Sequence, residues 1–317
     1  MKEPEGKNGK YYLSVFIRGM AMGAADVIPG VSGGTIAFIT GIYTDLIDSL
    51  RSCDHKAVKC LLQEGIPSAW RHINGTFLLA VFGGILVSIF SLAKLMTYCL
   101  ETQPILVWAL FFGLILSSSL LLLQQVPGWN VRRVLLFVGG AAFVIGVSLI
   151  KPTQLPDEWW VVFSAGMIAI CAMILPGISG GFLLLMMGLY STIIGAVSSF
   201  NFAILIPLGI GCLIGLLLFS HVLSWLLHHF EAATMAFLTG VLIGSLKIIW
   251  PWKQTLETVI DRHGDTVPLV QANILPNHYT VMTGEPSQLV SAILMCLIGI
   301  CLVGGMAFLA SRRQKLN

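Results

Sequence analysis

The sequence predicts an all-α polytopic membrane protein built as two inverted repeats. Each repeat is a broken or re-entrant helical hairpin followed by three transmembrane helices. Three observations predict this. Charged residues are 10% of the chain and hydrophobic residues 56%, where a soluble domain carries about 25% charged. Mean hydropathy is +0.87. One short phrase, Ile28-Pro-Gly-Val-Ser-Gly-Gly34, returns as Leu175-Pro-Gly-Ile-Ser-Gly-Gly181, each time inside an apolar stretch. No polar segment is long enough for a separate soluble domain, and a net charge of +3 leaves no nucleic-acid footprint. The seven cysteines lack metal-ligand spacing, and Cys171, Cys212, Cys296 and Cys301 sit within apolar runs, which argues against a disulfide framework. The first ten residues are polar, with Lys2, Lys7 and Lys10, and read as mature chain rather than a cleavable signal.

A helical span needs about 20 mostly apolar residues. On that basis the spans fall at 76–98, 104–123, 134–150, 202–227, 234–250 and 289–310. Four shorter segments flank the two motifs: 11–27 and 35–50 around the first, 159–174 and 182–200 around the second. Each pair is either a re-entrant hairpin or two short spans joined within the membrane. Broken backbone at that depth is tolerated only where it is buried in protein or lines a cavity. Basic residues set the orientation. The N-terminal lysines, the loop 51–72 with Arg51, Lys56, Lys59 and Arg71, the turn at Arg132 and Arg133, and the tail with Arg312, Arg313 and Lys315 all thread to the cytoplasmic side. Both termini are therefore expected in the cytoplasm. The Asp157-Glu158 turn and the long segment 251–286 fall outside, and Trp159, Trp160, Trp250 and Trp252 suit the outer interfacial belt.

The duplication extends beyond the motif. At an offset of 147, Gly19-Met20 faces Gly166-Met167. At an offset of 127, Ala109, Gly113 and Ser118 face Ala236, Gly240 and Ser245. The difference of 20 is the basic loop, present only in the first half. The two repeats are thus 1–150 and 151–317. A hairpin plus three spans is an odd number of crossings whether or not the hairpin fully spans, so the second half is inverted. Inverted repeats set equivalent broken helices against one another near the midplane.

The motif suggests a chemistry. Pro29 ends the incoming helix, and the glycines permit tight turning and close approach. The helix that restarts at Thr35 points unpaired N–H groups, the positive end of its dipole, back into the loop. Ser32 and Thr35 add hydroxyls. Together Ser32, Gly33, Gly34 and Thr35 form a cradle for an anion such as phosphate or carboxylate, repeated by Ser179, Gly180 and Gly181, with Phe182 in place of Thr35. The competing view is that these glycines only permit close helix packing. No Gly-Lys-Ser/Thr follows, so this is not a nucleotide P-loop. Arg18 and Asp26 flank the first copy, whereas Ala165 and Met173 stand at those places in the second. Ionisable residues inside a membrane are functional candidates. Arg18 is read as a phosphate partner, its alternative being snorkelling to the inner interface. Asp26 is read as a coupling group for a proton or a cation, its alternatives being a helix-end partner or a salt bridge to Arg18. No catalytic residue, metal ligand or cofactor site is expected.

Arg18-Gly-Met20 and Gly23-Ala-Ala-Asp-Val-Ile-Pro-Gly-Val-Ser-Gly-Gly-Thr35, with the echo Ile174-Leu-Pro-Gly-Ile-Ser-Gly-Gly181, resemble the bacterial PopT-type polyprenyl-phosphate transporters across essentially the whole chain. The resemblance implies a flippase returning undecaprenyl phosphate from the outer to the inner leaflet of the bacterial cytoplasmic membrane, for recycling of the cell-envelope lipid carrier. Its partner is then the membrane lipid itself, with a homo-oligomer left open. Two alternatives remain at this point: an intramembrane lipid phosphatase, which lacks a recognisable base beside Ser32 or Ser179, and a secondary transporter of a small soluble anion.

Overall fold

A computed structural model describes residues 9–26, 32–150, 155–260 and 266–316. Lys2, Lys7, Pro29 and Gly30, on which the orientation and the helix-break expectations partly rest, lie outside these residues. The first half runs α1 (Gly9–Asp26), α2 (Gly33–Ile39), α3 (Tyr43–Arg51), α4 (His55–Glu64), α5 (Ile66–His72), α6 (Gly75–Thr102), α7 (Pro104–Gln125) and α8 (Val131–Leu149). The second runs α9 (Trp159–Ile174), α10 (Gly180–Met186), α11 (Tyr190–Ser199), α12 (Phe202–His229), α13 (Glu231–Ser245), strands β1 (Lys253–Ile260) and β2 (Thr266–Asn273), α14 (Pro276–Thr283) and α15 (Leu289–Leu316). The described residues are all-α apart from that one antiparallel strand pair.

Every apolar run read from the sequence is helical, and α7, α8 and α12 are each long and apolar enough to cross a membrane unbroken. The shorter segments break twice, not once. Thr35 to Leu50 splits at Gly41, with φ of 74°, and the matching stretch splits at Gly188, with φ of 72°. Glycine adopts this left-handed backbone at no steric cost. Each motif is followed by a Gly-aromatic landmark, Gly41-Ile-Tyr43 and Gly188-Leu-Tyr190; these glycines are second helix breaks, and α10 and α11 diverge by 115°. The basic loop is also structured. It folds into α4 and α5, neither of which has a buried residue, and Asp54 caps α4 by accepting from the N–H groups of Lys56 and Ala57. Segment 251–286 is not a loose connection. The hairpin is anchored by Trp250 Nε1–H donating to Ile274 O (2.9 Å) and Trp252 Nε1–H donating to Ser287 O (2.8 Å). Lys253 Nζ lies 3.9 Å from the Trp108 ring centroid, a cation–π contact.

The same helix packing occurs twice. Helix α1 packs along α6 as α9 packs along α12; α7 packs along α15 as α13 packs along α8. The glycines at these seams recur in register. A Cβ on Gly19 would meet the Val81 carbonyl oxygen at 2.3 Å, and one on Gly166 would meet that of Leu208 at 2.6 Å. Gly84 meets Phe16 O as Gly211 meets Phe163 O, and Gly113 meets Cys296 O as Gly240 meets Phe137 O. Small residues let helix backbones approach closely where lipid supplies no hydrophobic drive for association. The second and third spans of each half thus pair with the other half, not with each other. At one end α3 docks on α12 through a polar cluster: Ser224 Oγ donates to Asp48 Oδ1 (2.6 Å), Arg51 Nη1 donates to Ser224 Oγ (3.0 Å), and His228 Nε2 lies 3.5 Å from Asp48 Oδ2.

Gly240→Ala should force α13 and α8 apart and cost about 1–3 kcal/mol, the usual range for overpacking, read as a lowered thermal midpoint in detergent. Gly139→Ala, next to the seam glycine Gly140 but with nothing within 4 Å of its own Cβ position, should not lower it.

Candidate functional site

Both motif copies start a seven-residue helix, α2 and α10, and the fold brings them together. Helix α2 is buried throughout Gly33–Phe38 and packs against α1, α3, α7 and α9. Ser32 Oγ–H donates to Met173 O at 2.6 Å. Tyr43 O–H donates to Ile174 O at 3.1 Å. In the other direction, Gly177 N–H donates to Thr35 Oγ1 at 2.7 Å. The carbonyls that α9 leaves unpaired at its C-terminus are thus satisfied by hydroxyls of the first copy. Gly34 is what allows the approach, since a Cβ there would sit 2.5 Å from Ile174 O.

The donors expected to cradle an anion are not equivalent in the two copies. In the first they are occupied from within. Gly33 N–H donates to Asp26 Oδ1 (2.6 Å), Gly34 N–H to Ser32 Oγ (3.1 Å) and Thr35 N–H to Ser32 O (2.9 Å). Asp26 is the helix-end partner of α2, and its carboxylate stands where a bound anion would stand. In the second copy Ser179 has the extended backbone of an N-cap but makes no cap hydrogen bond. Among the described residues, neither the Ser179 hydroxyl nor the N–H groups of Gly180, Gly181 and Phe182 has a hydrogen-bond partner. The space at Gly181 is open, with no atom nearer than 3.8 Å to its Cβ position, whereas a Cβ on Gly180 would lie 2.5 Å from Ala169 O. Close packing therefore accounts for Gly34 and Gly180, and not for Gly181. Only Gly180 and Met186 are buried along α10.

Arg18 does not join this cluster. It lies eight residues before Asp26 on α1, about 12 Å along the axis, which also rules out the Arg18–Asp26 salt bridge. It is half-buried and, among the described residues, makes no ion pair. It faces the surroundings of Tyr11, which it shares electrostatically with Asp45 of α3. Two contributors went unread in the sequence. Tyr43 was legible only as a repeated landmark with Tyr190, and the carbonyls of Met173 and Ile174 carry no side-chain signal at all. Among the described residues no group of three or more His, Cys, Asp or Glu could hold a metal ion.

The comparisons with known proteins agree along nearly the whole chain. The family model described as undecaprenyl phosphate translocase-like matches residues 22–267. A Vibrio cholerae serotype O1 protein named polyprenyl-phosphate transporter is 48% identical over 295 residues, covering 93% of this chain and 96% of that one. A Staphylococcus aureus protein of the same name is 33% identical over 256 residues, covering 74% and 85%. No solved structure matches.

Thr35→Val should remove the acceptor of Gly177 N–H and leave that group buried and unpaired, at a cost of about 1–3 kcal/mol. Thr35→Ser should retain most of the stability. Thermal unfolding of the two variants side by side makes the comparison, and equal midpoints would show that the cross-motif bond contributes nothing.

Proposed function

The chain belongs to the undecaprenyl phosphate translocase-like family, and from that premise we propose that it is a transporter of undecaprenyl phosphate. It returns the lipid from the outer to the inner leaflet of the bacterial cytoplasmic membrane by alternating access of a phosphate site at the two motifs. The observation that carries this reading is the meeting of the two copies, one closed on its own donors and one with its donors open.

Moving such a lipid is chiefly a problem of its headgroup. An ion of carboxylate size pays on the order of 20 kcal/mol to leave water for a medium of low dielectric constant. Prearranged N–H and O–H donors replace that water. The open donors of Ser179, Gly180 and Gly181 offer this in the present conformation; those of Ser32, Gly33, Gly34 and Thr35 would do so once Asp26 releases Gly33 and the cross-motif bonds part. Arg18 serves the headgroup along its path rather than at the cradle. The packing that repeats at Gly19 and Gly166, and at Gly113 and Gly240, supports two inverted repeats, 1–150 and 151–317; re-entrant motif hairpins and cytoplasmic termini, the latter resting on the basic loops, complete the reading.

Inward movement of an anion runs against a negative-inside potential, at about 2.3 kcal/mol per charge per 100 mV. Asp26 holds the N–H that the substrate would use, so proton or sodium loading of its carboxylate is the proposed link to a gradient. A lipid phosphatase would need a base at a motif serine. Ser32 instead donates to a backbone carbonyl, and among the described residues no histidine or carboxylate hydrogen-bonds to Ser32 or Ser179.

In cells without redundant transporters, Ser179→Ala and Arg18→Ala should each raise outward-facing undecaprenyl phosphate toward the level of the deletion, at normal expression; unchanged exposure in both would sink the site. Asp26→Asn keeps an acceptor for Gly33 but cannot titrate. Its transport should lose its dependence on pH or sodium, and normal behaviour across both series would remove Asp26 from coupling.

A further inference from the structure

A cavity of about 180 Å³ lies between α8, α12 and α13. Phe143 of α8, Phe219, Val222 and Leu223 of α12, Leu238 of α13 and Leu175 of the second motif copy line it. The one hydroxyl in the wall, that of Thr234, already donates to Leu226 O at 3.1 Å. Phe143 and Val222 at the mouth are 46% and 53% exposed, while Leu223 and Leu238 on the floor are 3% and 1% exposed. The cavity therefore opens sideways, toward the surface that hydrocarbon covers, and closes inside the protein. An apolar void with such a lining stays dry, and one of roughly 150 Å³ takes a six-carbon guest.

One residue of its wall, Leu175, belongs to the second motif copy. Leu175 follows Ile174, whose carbonyl accepts from Tyr43, and Leu175 is four residues from Ser179, the open cap of α10. The cavity wall and the open cap thus belong to one motif copy.

We propose that the cavity holds the isoprenoid units nearest the phosphate of a polyprenyl phosphate, with the phosphate at the second motif copy. This rests on the transport reading above. The volume suits one or two five-carbon units, so the remainder of the chain leaves past Val222 and Phe143 into the bilayer. Two consequences follow from that division. The protein recognises the branched units beside the phosphate, between phenylalanine and leucine side chains, and it is indifferent to total chain length. An ordinary diacyl phospholipid, whose phosphate carries a glycerol and two straight chains, does not fit.

Photo-crosslinking of the full-length protein in phosphatidylcholine nanodiscs tests this. The probe is a polyprenyl phosphate with a diazirine on its first or second isoprene unit, and adducts are mapped by mass spectrometry. Adducts are expected on residues 219–226, Leu175 and Phe143. Excess unlabelled polyprenyl phosphate should reduce them at least tenfold, and phosphatidylglycerol at the same excess should not. Leu238→Trp, which fills the floor, should reduce them by a similar factor if its thermal midpoint is unchanged; the mapping on the unaltered protein decides the matter by itself. Saturable adducts at other helices, or equal competition by phosphatidylglycerol, would overturn the cavity and leave the transport reading standing. A lack of saturable labelling anywhere would overturn both.

Discussion

Inside a bilayer there is no water to satisfy a backbone group that leaves a helix, and each unsatisfied group costs several kcal/mol. The whole arrangement depends on that constraint. This chain breaks its helices twice at equivalent places, so it must supply the missing partners itself. It does so by making each motif the solvent of the other. The free carbonyls at the end of α9 take hydroxyls from Ser32 and Tyr43, and the free N–H of Gly177 takes Thr35. Side chains of one half thus close the backbone of the other. The deep burial of α2 and the exact fit at Gly34 are conditions for this exchange rather than separate features.

Helix packing repeats between the halves, and the residues in the helix breaks differ. Glycine seams repeat because helix spacing has to be the same in both halves. The residues in the breaks do not repeat. Where Asp26 stands in the first half, Met173 stands in the second and offers only its carbonyl; where Thr35 bonds across, Phe182 has no hydroxyl to offer. The substitutions leave the donors of the first copy paired within that copy and those of the second without a partner among the described residues.

The sequence disclosed most of the helices because length and hydropathy are sufficient for a span. It also pointed to the two motifs, which the structure brings into contact. It did not disclose that Asp26 folds back onto Gly33, because that depends on the path of the chain between them and not on spacing. Sequence proximity also left open an Arg18–Asp26 salt bridge, which is not made among the described residues. The structure of 251–286 was obscured by its mixed charge, although Trp250 and Trp252 mark where it is anchored. Helices α4 and α5 were masked in the same way, their lysines and arginine reading as a topology signal alone.

The pairing of α8 with α13 and of α7 with α15 bears on how the protein is made. Synthesis is vectorial and proceeds at about 5–20 residues per second. Helix α8 ends at Leu149, and its partner α13 begins at Glu231. For several seconds at least, α8 waits in the membrane with its glycine seam facing lipid, and α7 waits longer for α15. The first half lacks the helices that α7 and α8 pack along most extensively, and termination before α15 leaves α7 without its main partner. Exchange of helices between the halves therefore makes completion of the chain, rather than insertion of each span, the step that commits the protein to its fold.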